Sequence, residues 1–223
     1  PLRQVWRSAN ASGWKEIVIE AEVSSQIDTV ALLGHNLTED AVVQVQGDFS
    51  DAFLAPAETK TMVWSKGNMA IAESFDAAYS HYRIRILDPS NPCGYVQVGR
   101  IVGGRAFTFD YNEDISDDFE IAQDDLADSV KSEGFFRISN DRVKVKSLSA
   151  RFQKISTVSG QNANYLGWIE MMEEVGITKP FLTILDRGDP GFGLFWAQLD
   201  KIPGIGYTIN RFASWNFKIT EVF

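Results

Sequence analysis

The stretch Arg83 to Gly104, RIRILDPSNPCGYVQVGRIVGG, decides the fold class. Tyr82, Ile84 and Ile86 alternate with Arg83 and Arg85, a period of two that puts apolar groups on one face of a strand and charge on the other. Asp88-Pro89-Ser90-Asn91-Pro92-Cys93-Gly94 then stops the strand. Its prolines remove backbone donors and fix φ, while Asn91 and Gly94 tolerate turn geometry. Tyr95 to Val102 resumes strand character and ends on Gly103-Gly104, where a missing side chain permits a bulge or close approach. The segment therefore reads as a β-hairpin in mid-chain, with a break between two halves just after it.

On the N-terminal side, Ile17, Ile19, Ala21 and Val23 share one parity among polar neighbours, the mark of a half-buried strand. Ile27 to Leu33 is nearly all apolar, which suits a central strand covered on both faces, and Gly34-His35-Asn36-Leu37 ends it. Val42 to Gln46 alternates again, and Gly47 to Met69 reads as loops with one or two short strands. On the C-terminal side, Gly134 to Ile138 and Arg142 to Leu148 flank the turn Ser139-Asn140-Asp141 and read as a second hairpin. One amphipathic helix is predicted at about 162–175, since Tyr165, Trp168, Ile169, Met172 and Val175 fall on one face and Gly176 follows as a cap. Phe181–Leu185, Leu194–Leu199 and Tyr207–Phe223 are further strands; in the last, Trp215, Phe217 and Ile219 alternate with polar residues. The expected fold class is mainly β, with two β-sandwich-like halves: a jelly-roll-like domain at 1–105, and a β-rich domain with the helix at 106–223 that ends in a long strand.

The bulk properties bound the function. With 223 residues and 44% hydrophobic content the chain can build a substantial core. A net charge of −9 argues against a nucleic-acid surface, because phosphate contacts need an excess of Lys and Arg. The single cysteine, Cys93, excludes an intramolecular disulfide and a thiolate metal site. The sequence has no apolar run long enough to span a membrane, and its first residues do not read as an uncleaved signal peptide. With Pro1 in the first position, either a Met has been removed ahead of it or the chain starts inside a longer product.

Motifs that carry chemistry are scarce. His35 and His81 have no second His or Cys at ligand spacing, and the Gly-x-Ser-x-Gly, His-Glu-x-x-His and Walker patterns are absent, so no catalytic residue, metal or cofactor is expected. Glu113 to Asp128 holds eight acidic residues and no Lys, Arg or Gly; it reads as a solvated loop or, at Asp117, Asp118, Asp124 and Asp125, as a face that docks on a basic neighbour. Trp14 and Trp64 lie near predicted turns, where an indole can stack on a sugar ring, while core filling is the alternative. His35 and Asn36 are candidates for the same ligand face, with turn capping as theirs.

Two stretches, Ile27 to Leu37 (IDTVALLGHNL) and Tyr82 to Gly104, together resemble a module of tailed-bacteriophage tail and baseplate proteins with galactose-binding-like jelly-roll character. The resemblance rests on the strand ending in Gly-His-Asn-Leu, on the Asp-x-x-Asn-Pro-x-Gly-Tyr turn followed by Val-Gly-Arg, and on Trp6-Arg7-Ser8; it covers about the first 105 residues well and the rest in outline. It implies a virion component, a minor tail protein of the tail tip or baseplate made in the host cytoplasm. Such a protein assembles with hub, tube or tail-tip subunits into an oligomeric ring and is not an enzyme. Two other readings stand beside it: a carbohydrate-binding module that recognises a host surface glycan, and a cell-wall glycan hydrolase.

Overall fold

A computed structural model of the chain describes residues 5–108, 120–125, 128–131, 137–140, 144–158, 163–185, 194–209 and 211–222. Strands dominate, arranged in several antiparallel sheets with one helix among the described residues, so the mainly β expectation holds. The chain divides into two compact units, Pro1–Ala106 with Thr183–Leu194, and Phe107–Leu182 with Phe195–Phe223.

The first unit is a sandwich. Strands β1 (Trp6–Arg7), β2 (Lys15–Ser25), β3 (Thr29–Leu33), β4 (Val42–Asp48), β5 (Glu58–Thr61), β6 (Asn68–Ile71), β7 (Tyr79–Leu87), β8 (Gln97–Val98) and β9 (Arg100–Gly104) form three sheets. One has the order β2-β7-β4-β5, the second β6-β3-β9, and β1 pairs with β8. The period-two residues fill the core as their pattern demands. Tyr82, Ile84 and Ile86 of β7 and Val43 and Val45 of β4 join Val30 and Leu32 of β3, Met69 of β6, and Val96 and Val98. Full burial of one such aliphatic side chain contributes about 1.5–3 kcal/mol, so this cluster is the main stabilising element of the unit. All five residues of β3 are buried, as an uninterrupted apolar run at the centre of a sheet requires.

The mid-chain hairpin does not form. β7 is hydrogen-bonded to β2 on one side and β4 on the other, so it has no free edge for the strand that follows the turn. β8 pairs with β1 and β9 with β3 instead. Asp88 to Gly94 is thus an arch that carries the chain from one sheet to others. A period-two pattern shows which face of a strand is buried and says nothing about its neighbour.

In the second unit, β10 (Glu120–Asp125), β13 (Lys144–Ser156), β14 (Phe181–Thr183), β15 (Phe195–Leu199) and β17 (Phe212–Glu221) form a sheet of order β10-β13-β17-β15-β14. β16 (Ile205–Ile209) adds to β17, so the expected long C-terminal strand is two paired strands. β11 (Asp128–Lys131) pairs with β12 (Arg137–Asn140). The second predicted hairpin is therefore replaced: β12 joins β11, and β13 lies between β10 and β17. The helix α1 (Ala163–Val175) appears where its apolar stripe predicts it, and Gly176 ends it at φ 55° with its N–H bonded to the carbonyl of Met172. Trp168 from the helix stacks on Trp215 of β17, with ring centres 5.2 Å apart, and Phe152 stacks on Phe217 at 5.5 Å.

Candidate functional site

The residues that carry the sequence resemblance meet in the first unit. Gly34 adopts φ 64° and turns the chain out of β3. Asn36 then behaves as a surrogate strand residue: its Nδ2 donates to the carbonyl of Tyr95 at 3.0 Å, and its Oδ1 accepts from the N–H of Gln97 at 2.7 Å. Its own N–H donates to the Gln97 carbonyl, and its carbonyl accepts from Asn91 Nδ2 at 3.0 Å. Asp88, with no exposed surface, accepts from Thr38 N–H at 3.0 Å, from the Thr38 hydroxyl at 2.6 Å and from Asn91 Nδ2 at 2.8 Å. Asn91 Oδ1 accepts from the N–H of Cys93, closing the arch. The two motifs thus form one hydrogen-bonded knot in which most polar groups are used within the chain. That is the condition under which burying them is tolerated.

His35 belongs to the same knot. It is 8% exposed, and its Nδ1 accepts from the N–H of Leu37 at 3.2 Å, which places the neutral ring's proton on Nε2. Nε2 has no bond of good geometry, although the Ser65 backbone lies close enough to favour protonation. Burial pushes the His35 pKa below its ordinary value, against the smaller opposing effects of the Ser65 backbone and the Asp88 charge. Trp64 converges on this place too, donating its indole N–H to the carbonyl of Leu37 at 3.1 Å while its ring packs against the core. His35, Asn36 and Trp64 are therefore brought together, and apart from His35 Nε2 their side-chain polar groups bond to the chain's own backbone.

Trp14 lies apart from them, at the start of β2. It is 37% exposed, and the guanidinium of Arg85 sits 4.3 Å from its ring centre. Arg85 and Arg83 share Glu16 across the strand pair, at 3.0 and 3.5 Å. Arg83 also donates to Gln46 Oε1 at 2.9 Å and lies 4.5 Å over the ring of Phe53. This ladder on the outer face of the four-stranded sheet is legible in the sequence only as the charged parity of β7. Its partners Glu16, Gln46 and Phe53 come from elsewhere in the chain.

The acidic run is a strand in part. Glu120–Asp125 is β10, with Asp124 opposite Val145 and Asp125 opposite Lys144, which corrects the loop reading for those residues. Asp117 and Asp118 lie outside the described residues. Among the described residues no group of three His, Cys, Asp or Glu side chains could hold a metal, and no helix is long and apolar enough to cross a membrane. The chain matches none of the protein-family models and none of the curated proteins with which it was compared.

Proposed function

We propose that this chain is a structural subunit of a bacteriophage tail tip or baseplate, and that it works by assembly with neighbouring tail proteins rather than by chemistry. The observation that supports the reading is the knot. The residues that carry the resemblance to phage tail modules, Gly34 to Leu37 and Asp88 to Tyr95, spend most of their side-chain polar groups within the chain, with Asp88 fully buried and Asn36 bonded to Asn91 in the arch and to Tyr95 and Gln97 after it. A motif of this kind specifies a scaffold. β5 at one edge of its sheet and β2 at the other also leave backbone groups for neighbours to cover, among the described residues. The test is localisation. Gold-labelled antibody raised against the purified chain should decorate one end of the tail on phage particles encoded by the same genome. Label confined to unassembled fractions would contradict the reading.

A further inference from the structure

The loop that joins β4 to β5 is held by contacts within the chain yet turns apolar side chains outward. Phe53 has φ 43°, a left-handed conformation that a bulky L-residue adopts only when its surroundings enforce it. The enforcement is visible. The ring of Phe53 is buried, Arg83 covers it, and Arg83 Nη2 donates to the Phe53 carbonyl at 3.3 Å. The base of the loop is tied as well: Asp48 Oδ1 accepts from the N–H of Phe49 at 2.7 Å and of Ser50 at 3.3 Å, and the Ser80 hydroxyl donates to the Phe49 carbonyl at 3.1 Å. The residue that this strained and anchored backbone presents is Leu54, which is 94% exposed, and Phe49 on the same loop is 62% exposed. A loop held this firmly has little conformational entropy left to lose on binding.

We propose that the Phe49–Leu54 loop is a preformed anchor that seats Leu54 in an apolar pocket, rimmed by Lys or Arg, on a neighbouring protein subunit. The pocket's chemistry follows from the loop's. Its projecting side chain is aliphatic, and Asp48 and Asp51 flank it, while no Lys or Arg occurs from Gly47 through Thr59. An apolar centre with complementary charge at the rim is the ordinary anatomy of a protein interface.

This inference rests on the assembly reading and names the contact that assembly uses. The experiment mixes the purified chain with each tail protein encoded beside it, measures complex mass by light scattering, and places a photo-cross-linking side chain at position 54 or, as a control, at Val63, which is 77% exposed. Expected are a cross-link from position 54 alone, and binding weakened about thirtyfold by Leu54→Ala, the loss that follows from burying one leucine. Asp51→Lys weakens binding less, and its effect fades at high salt. Circular dichroism melts of these variants should match the wild type, which separates loss of the contact from loss of the fold. A complex that forms equally well with Leu54→Glu, and yields no cross-link from position 54, overturns the anchor and leaves assembly standing. No complex with any neighbour overturns both.

Discussion

Replacing Asp88 with Ala is the sharpest test of the view that the hydrogen-bonded knot is architectural. The carboxyl group has no exposed surface and accepts three hydrogen bonds, two from Thr38 and one from Asn91. Removing it leaves three donors without their acceptor. Each buried donor so stranded costs about 1–3 kcal/mol, and the half-buried Thr38 recovers part of its share from water, so a net loss of about 3–5 kcal/mol is expected. With a urea m-value of about 2 kcal/mol/M for a domain of this size, the midpoint of the first unit should fall by about 1.5–2.5 M. Hydrogen exchange followed by mass spectrometry against urea reads that unit from its own peptides, avoiding the assumption that the two units unfold together. Asn36→Ala, which removes the bonds to Tyr95 and Gln97, should destabilise the same peptides. A shift below about 0.5 M for Asp88→Ala would refute the reasoning, because it would mean that water replaces the carboxyl group at little cost.

Other consequences are open to measurement. Gly47→Ala would drive a Cβ into the ring of Tyr79, which is itself wedged against Phe49, Phe75 and Tyr82; a loss of about 1–3 kcal/mol in urea unfolding is expected. Gly167→Ala meets the ring of Phe107 in the same way and should destabilise the second unit. Because burial lowers the His35 pKa, the unfolded chain takes up a proton first as pH falls below 6.5. The first unit should therefore lose stability as pH falls below about 6.5, and His35→Gln should flatten that slope in urea titrations at each pH. For the glycan reading, Trp14→Ala should leave binding to a host-polysaccharide array unchanged, since Arg85 already covers a face of that ring; binding abolished by this change would make sugar recognition the better account.

How much of this was legible in the sequence depended on the range of the signal. The faces of β7, the double-sided burial of β3 and the helix stripe with its Gly176 cap follow from local periodicity and were read correctly. Pairing partners were not, because period two is the same whichever strand lies alongside: hence the arch at Asp88–Gly94 where a hairpin was expected, and β12 beside β11. The candidate residues His35, Asn36 and Trp64 were found from the sequence, but not that they meet, since Asn36 bonds across 59 and 61 residues to Tyr95 and Gln97. Leu54 left no local signal at all. Its exposure beside the left-handed Phe53 is a property of the folded loop, and the proposed anchor rests on that alone.

The most direct test of the proposed assembly role is the mass of the purified chain in solution by light scattering, alone and mixed with the proteins encoded beside it. The account predicts a defined multi-subunit complex, of fixed stoichiometry, with at least one neighbour. A chain that stays monomeric in every mixture would contradict it.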